Sequence, residues 1–203
     1  MARFVTGNEF TTGDQVTATT LNIVSTSTAD DDGGTGTNAI YISGIDGNRD
    51  EQFELVTMDG TTNVVTTTTW LGINRVAMFL CGTGQVNAGI INITATTGGS
   101  QMAQMPAGGG VTQQCIFHIP RNYNFITEWV RINVLNRANN AELTVKMWVY
   151  SSLSNGKQEV YKVDIDPQLI NDISENPNLP FPISEATVIW LEVTSNKAGV
   201  IIL

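Results

Sequence analysis

The chain's single histidine, His118, is the first residue to consider for catalysis. A histidine activates a nucleophile when the two side chains lie within hydrogen-bonding distance of each other. However, no serine of the chain stands in a Gly-x-Ser-x-Gly elbow, and His118 alternates with the apolar Phe117 and Ile119 in a strand-like run. The pattern therefore favours a strand histidine, packed or exposed, over a general base.

Metal-binding patterns are incomplete. A zinc site needs several His or Cys ligands at close spacing, whereas this chain has one His and two distant cysteines. The segment Asp46–Asp50 matches the D-x-N-x-D opening of a calcium loop, but Glu51 stands where glycine is required and Thr57 where a bidentate glutamate is required. We interpret this segment as a hairpin turn, and Asp30-Asp31-Asp32 as part of a flexible, solvated loop over 29–37.

The other candidates are better explained by packing. Cys81 and Cys115 end apolar runs, which predicts buried free thiols. The Gly82-Thr83-Gly84 segment lacks the third glycine and the following helix of a phosphate-binding loop. Tryptophans can stack on sugars, but all four lie within or beside apolar strands and are expected in the core; they are Trp70, Trp129, Trp148 and Trp190. We assign no catalytic, cofactor-binding or metal-binding residue, and expect neither an enzyme nor a cofactor.

Charge and hydropathy narrow the range of partners. Ten basic and nineteen acidic residues give a net charge of −9, and the basic residues are scattered along the sequence. Because an acidic surface repels phosphate, we expect no nucleic-acid partner. No apolar run approaches the roughly 18 residues of a membrane helix, and the opening residues lack the pattern of a signal peptide, so we expect neither a membrane span nor secretory export.

The pattern of the whole chain is that of short strands separated by turns. Between Thr61 and Thr97 apolar residues alternate with small polar ones, and the turns contain glycine. Later runs alternate equally clearly, and the turn sequences Asp59-Gly60 and Ser154-Asn155-Gly156 each predict a hairpin. Prolines interrupt residues 166–186, where Gln168–Ile173 could form one helical turn. An all-β fold is predicted, an antiparallel β-sandwich of jelly-roll type.

The domain organisation has two interpretations. Residues 1–15 form an N-terminal arm whose Phe4, Val5 and Phe10 favour docking on a neighbour or on the domain's own flank, and 16–203 form a single sandwich domain. The alternative is two smaller β-sandwiches joined near residues 107–110. An apolar C-terminus, Val200–Leu203, indicates a last strand that is buried or paired with another subunit.

Three segments together resemble virion structural proteins of tailed bacteriophages. They are 38–95, 105–134 and 179–200, and the resemblance extends over about Thr35 to Gly199. The shared pattern consists of turns and strands: the Gly82-Thr83-Gly84 turn, the hairpins at Gly44–Asn48 and Met58–Thr62, the turn at Asn87–Gly89 and the Ile189–Ser195 strand. No functional residue is carried over, because the glycines of the pattern serve backbone geometry; they are Gly36, Gly44, Gly60 and Gly89.

This resemblance implies a β-rich, non-enzymatic particle component. We expect a capsid decoration, or cement, protein that binds and stabilises the phage head as a symmetric oligomer, a homotrimer. Its partners would be the major capsid protein or other virion proteins, on the capsid surface after assembly in the host cytoplasm. The alternative is a receptor-binding or carbohydrate-binding module associated with the tail or a fibre.

Overall fold

The computed structural model describes residues 17–112, 114–126, 130–133, 143–151, 156–165, 172–175, 182–185 and 187–195. These residues contain thirteen β-strands and no α-helix, and every strand pairing is antiparallel. The predicted all-β antiparallel fold is thus confirmed, while its jelly-roll form stays a prediction. None of the described segments is a helix long and apolar enough to span a membrane. The predicted arm, 1–15, and the predicted last strand, 200–203, lie outside the described residues.

The described residues fall into two compact units, with the division between Gln114 and Cys115. Whether the chain is one domain over 16–203 or two sandwiches joined near 107–110 stays a prediction. The first unit contains two sheets, ordered β4-β1-β6-β7 and β3-β2-β5. Its strands are β1 Leu21–Ser25, β2 Thr37–Ile45, β3 Glu51–Thr57, β4 Val64–Val65, β5 Gly72–Cys81, β6 Ile91–Ala95 and β7 Gln101–Met105.

The core of the first unit lies between its two sheets. Alternation along β1 and β6 turns every second side chain inward, as in Leu21 and Ile23. Each fully buried side chain of this size stabilises the fold by about 1.5–3 kcal/mol. The inward-facing set draws on both sheets and comprises Leu21, Ile23, Ile40, Ile42, Val56, Met58, Trp70, Ile73, Val76, Ile91, Ile93, Ala103 and Met105.

Asp30 is buried and organises the loop between β1 and β2. One carboxylate oxygen accepts hydrogen bonds from the N–H groups of Thr37 and Ala88, both at 2.8 Å. The other accepts from the Ser25 hydroxyl at 2.6 Å and the Gly89 N–H at 2.8 Å. The interpretation of the three aspartates as a solvated loop is therefore wrong for Asp30, which is fully buried. The sequence could not indicate this, because three of the four donors come from β2 and the segment before β6.

Asn87 has a similar role at the loop that follows β7. Its buried amide group donates to the carbonyl oxygens of Gly89 and Pro106, each at 2.7 Å, and its carbonyl oxygen accepts from the Gly110 N–H at 2.9 Å. The Gly108 N–H donates to the Asn87 backbone carbonyl at 2.8 Å. The glycine-rich segment 107–110 is thus tied to the first unit by hydrogen bonds at two of its glycines.

The predicted hairpin turn at Asp59-Gly60 serves a different purpose. It follows β3, which pairs with β2, and precedes β4, which pairs with β1. The turn therefore carries the chain from one sheet to the other, where the Gly60 carbonyl accepts from the Ser25 N–H at 3.0 Å. The prediction of a hairpin here is wrong, because a turn sequence does not determine which strand the next strand joins.

The second unit contains a four-stranded sheet, ordered β11-β10-β13-β8, and the pair β12-β9. The predicted hairpin at 154–156 is confirmed by the pairing of Ser151 with Gly156. Asp172 and Ile173 form part of a strand, so a helical turn reaching Ile173 is wrong; 166–171 lie outside the described residues. The strands are β8 Ile116–His118, β9 Val130–Asn133, β10 Leu143–Ser151, β11 Gly156–Ile165, β12 Asp172–Glu175 and β13 Thr187–Ser195.

The core of the second unit again follows strand alternation. Leu143, Val145 and Met147 point inward from β10, and Ile189 and Val193 point inward from β13. Ile119, Ile165 and Ile183 complete the buried cluster.

Candidate protein-binding face

The outer side of the β3-β2-β5 sheet exposes large apolar side chains. Because side chains alternate along each strand, the residues on either side of the buried Ile42 and Val56 face outward. Phe53 is 69% exposed and Leu55 is 52% exposed, both on β3. We call this surface the apolar face; it consists of Tyr41, Phe53, Leu55, Ala77 and Leu80.

Strand register fixes how the apolar face is arranged. Tyr41 lies between Leu55 on β3 and Ala77 on β5, and Ala39 lies opposite Leu80. Partners in an antiparallel pair project to the same side of the sheet, so these side chains are neighbours. The Tyr41 and Phe53 rings also stack, with centroids 6.3 Å apart and planes inclined by 25°. The result is one continuous apolar surface.

β3 is also the free edge of its sheet. The opposite edge, β5, is covered by the segment around Val111, since the Met78 N–H donates to the Gly110 carbonyl and the Thr112 N–H to the Val76 carbonyl, both at 2.8 Å. In the described part of the chain no backbone hydrogen-bonds to the edge of β3 that faces away from β2. An uncovered edge beside exposed apolar side chains is a typical protein-binding surface.

Glu54 holds β3 against the loop that follows β4. Its carboxylate accepts from the Thr67 N–H at 2.8 Å, the Thr67 hydroxyl at 2.9 Å and the Thr68 N–H at 3.0 Å. Partial burial alone would raise the pKa of Glu54, but these hydrogen bonds outweigh it and lower the pKa below its usual value. The edge strand is thus supported from its inner side while Phe53 and Leu55 point outward.

The corresponding edge of the second unit, β11, is protected by charge. Lys146 pairs with Glu159 at 3.1 Å, and Lys162 pairs with Asp164 at 3.0 Å. The Thr144 hydroxyl and Lys162 lower the pKa of Asp164. Lysine-rich edges discourage pairing with other chains. No lysine stands on β3, so the two edge strands differ in what they allow to bind.

The residues first considered for catalysis or metal binding are not brought together. His118 is 2% exposed on β8, opposite Val188. In the described ranges no group of three His, Cys, Asp or Glu side chains could hold a metal ion. Asp46 instead caps its own turn, accepting from the N–H groups of Asn48 at 2.8 Å and Asp50 at 3.0 Å. Cys81 and Cys115 are free, as predicted, but both are exposed, so the prediction that they are buried is wrong.

Trp70 and Trp190 are buried as predicted, but Trp148 is only half-buried, so the prediction that it lies in the core is wrong. Trp70 is fully buried in the first core, and Trp190 is buried and stacks on Trp148 with centroids 6.4 Å apart. The Lys157 ammonium lies over the Trp148 ring, 4.1 Å from its centroid, and Glu192 accepts a hydrogen bond from Trp148 Nε1 at 2.5 Å. These ring faces are thus occupied by the protein's own side chains. Trp129 lies outside the described residues.

Sequence reasoning did not identify the apolar face. The segment 51–57, EQFELVT, carries Phe53 and Leu55 on one side and Val56 on the other, so either side could face the core. The signal in the sequence is that apolar residues lie on both sides of this strand, so one side had to carry exposed apolar residues if only one side faced the core. The structure shows that Val56 is the buried residue and that the larger Phe53 and Leu55 are exposed.

Comparison of this chain with protein-family models, with curated proteins and with solved structures finds no match.

Proposed function

We propose that this protein is a non-enzymatic virion structural protein of a tailed bacteriophage, which binds and stabilises the capsid as a decoration protein. The observation that carries the proposal is the apolar face, where Phe53 and Leu55 are more than half exposed on an edge strand. Exposed apolar residues of this size are buried when a protein partner binds, and aromatic residues dominate such contacts. The turn-and-strand resemblance to virion proteins supplies the setting.

Two further features support a structural role. The net charge of −9 keeps the chain from associating with nucleic acid packaged inside a head, because like charges repel. Two β-sheets close over one apolar core in the first unit, which makes the apolar face a rigid platform. Rigid faces bind protein partners well, since little conformational entropy is lost on contact. The partner on the particle is the major capsid protein or another virion protein.

Particles assembled with the double variant Phe53→Thr and Leu55→Thr are expected to carry at least tenfold fewer copies of the chain. Each apolar side chain buried at a contact contributes about 1–2 kcal/mol, and about 1.4 kcal/mol is a factor of ten in binding. Threonine keeps the β-propensity of these positions. Quantitative mass spectrometry of purified particles measures the change.

Val65→Thr is the matched control. Val65 is half exposed on β4, the edge strand of the other sheet, so this change removes apolar surface from an edge outside the apolar face. Incorporation of this control should be normal. Wild-type incorporation of the Phe53 and Leu55 double variant, with both proteins equally stable, would contradict the proposed role of the face.

The location and copy number on the particle separate a head protein from a tail protein. A map of the particle is expected to place the chain on the capsid lattice, in threefold assemblies whose number follows the lattice. Density in the tail or a fibre, with a copy number that follows those structures, would contradict the head assignment and favour the alternative.

Binding of a glycan by a tail or fibre module is the second candidate. The outer side of β4-β1-β6-β7 favours it, because this side presents paired amides without charge: Asn63 donates to Asn22 at 2.9 Å and Gln104 donates to Asn92 at 2.8 Å. Side-chain amides match sugar hydroxyls as donors and acceptors. A glycan array probed with the purified protein tests this; binding that Asn92→Ala abolishes would support it, and absence of binding would remove it.

A further inference from the structure

We propose that the apolar face binds the same face of a second copy of this chain, related to the first by a twofold axis parallel to β2. This inference rests on the proposed structural role: the virion protein that occupies the face is a second copy of this chain, and loss of that pairing is what lowers incorporation into particles. It is argued from the distribution of charge, from the register of the three strands and from the sizes of the side chains that would meet.

Two unpaired charges flank the apolar residues on opposite strands. Glu51 begins β3, and Arg75 lies on β5 beside Ser43, which in turn lies beside Phe53. Both charged residues are exposed, and neither forms an ion pair within the described part of the chain. The face therefore has an acidic corner on one edge strand and a basic residue on the other.

A twofold axis along β2 brings these charges together. It places β3 of one copy over β5 of the other. Glu51 lies opposite Ile45 and Arg75 lies opposite Ser43, so Glu51 and Arg75 of the second copy are offset by two residues along the strand direction. That offset is about 7 Å along the strand, which the two long side chains can span. The same pair forms again on the other side of the axis, because a twofold contact repeats every interaction.

Side-chain sizes match under the same operation. Leu55 faces the small Ala77 of the second copy, and Tyr41 faces its own counterpart across the axis. Phe53 faces Arg75 of the second copy, an arrangement in which a guanidinium can lie over an aromatic ring. Large side chains thus meet small or complementary ones, which is what a self-complementary interface requires.

The size of the face predicts a weak contact. Three strands about 4.8 Å apart and four residue pairs about 7 Å apart cover on the order of 300 Å². Stable complexes bury about 800 Å² on each partner. Association in solution should therefore depend on protein concentration, and local concentration on a particle lattice would strengthen it.

Charge reversal in the purified chain tests the twofold contact. Glu51→Arg and Arg75→Glu should each raise the dissociation constant at least tenfold, because each change places two like-charge pairs at the contact. At concentrations at which the wild type is paired, the native mass of each variant, followed by analytical ultracentrifugation over a concentration series, should be half that of the wild type. This holds whether the assembly is two copies or two threefold assemblies joined in pairs.

Mixing the two variants is the decisive measurement. A Glu51→Arg copy carries two positive groups at the contact and an Arg75→Glu copy carries two negative ones, so the mixture should recover the wild-type mass as one-to-one hetero-pairs. The double variant should recover it alone. Asp32→Arg, the same charge change at an exposed site off the face, should leave the mass unchanged.

The remaining outcomes overturn the inference in distinguishable ways. If charge reversal leaves the native mass unchanged while Phe53→Thr and Leu55→Thr still abolish incorporation into particles, the face binds a different virion protein and the proposed function stands. If the mass falls only on deletion of residues 1–14, the arm holds the copies together. If the variants do not recover on mixing, copies do not meet through a twofold contact. If pairs form but the chain is absent from particles, the twofold contact stands and only the proposed function is contradicted.

Discussion

Replacing Asp30 with asparagine is expected to lower the free energy of unfolding by roughly 2–4 kcal/mol. The amide keeps the size of the carboxyl group, and its oxygen can still accept from the N–H groups of Thr37 and Ala88. Its NH₂ group, however, would face the N–H of Gly89, which donates to Asp30 in the native protein. Two donors then meet in a buried site, and the Gly89 N–H is left without an acceptor. Urea unfolding measures the loss.

Asp32→Asn is the matched control for this prediction. Asp32 lies two residues away in the same loop and is exposed, so the same chemical change should alter the free energy of unfolding by less than about 0.5 kcal/mol. An equal effect of both variants would show that loss of charge from the loop, and not the hydrogen-bonded carboxylate, determines its stability.

The same site makes stability depend on pH. Burial by itself would raise the pKa of Asp30, but the hydrogen bonds from Ser25, Thr37, Ala88 and Gly89 outweigh it and hold the pKa below its usual value. An unfolded aspartate protonates near pH 4, so in acid the unfolded chain binds a proton that the folded chain does not. The stabilisation is therefore complete above about pH 4 and is lost as the pH falls through the lower, folded-state pKa.

The free energy of unfolding, measured from pH 7 to pH 3 for the wild type and for Asp30→Asn, should show this dependence as a difference between the two proteins. The wild type should lose more stability than Asp30→Asn over the acid part of the range, because the variant lacks the titrating group. Parallel curves for the two proteins over that range would argue against a folded-state pKa shift at Asp30.

Replacing Asn87 with aspartate is expected to destabilise the first unit by about 3–5 kcal/mol at pH 7. The Asn87 amide donates to the carbonyl oxygens of Gly89 and Pro106 at 2.7 Å. A carboxylate of the same shape would place negative charge against both oxygens in a buried site. Burial and this repulsion would raise the folded-state pKa of the new carboxyl group, so the deficit should shrink as the pH is lowered through that pKa.

Asn92→Asp provides the comparison. The Asn92 side-chain oxygen accepts from Gln104 on the outer side of β6, and a carboxylate can accept the same bond. We expect a change below about 0.5 kcal/mol at pH 7, measured by urea unfolding beside Asn87→Asp. An Asn87→Asp protein as stable as the Asn92→Asp protein would contradict the buried geometry at Asn87.

Much of the β-structure could be predicted from local patterns. The strand over Leu143–Ser151 and its hairpin to β11 follow from alternation and a turn sequence that lie within a few residues of each other. Burial of Trp70 follows from the apolar run around it. In these cases the structure could be predicted because side chains alternate between the two faces of a strand every second residue, a pattern that is visible within a short segment.

Other predictions failed where distant segments decide the outcome. The Asp59-Gly60 sequence predicts a hairpin, yet this turn links two sheets. The acidic composition of the 29–37 loop predicts exposure to solvent, yet Asp30 accepts hydrogen bonds from Ala88 and Gly89, 58 and 59 positions away in the sequence. Cys81 and Cys115 end apolar runs but lie on the surface. A residue's own neighbours do not indicate which remote backbone groups will surround it.

The amino-acid sequence alone was therefore sufficient for an antiparallel all-β chain, because alternation and turn residues act over only a few positions. Only the tertiary structure determined that Asp30 and Asn87 are buried and which side of β3 is exposed. The apolar face exists because the β3-β2-β5 sheet turns Val56 inward and leaves Phe53 and Leu55 outside. That choice depends on how two sheets pack together, a property of the folded chain as a whole.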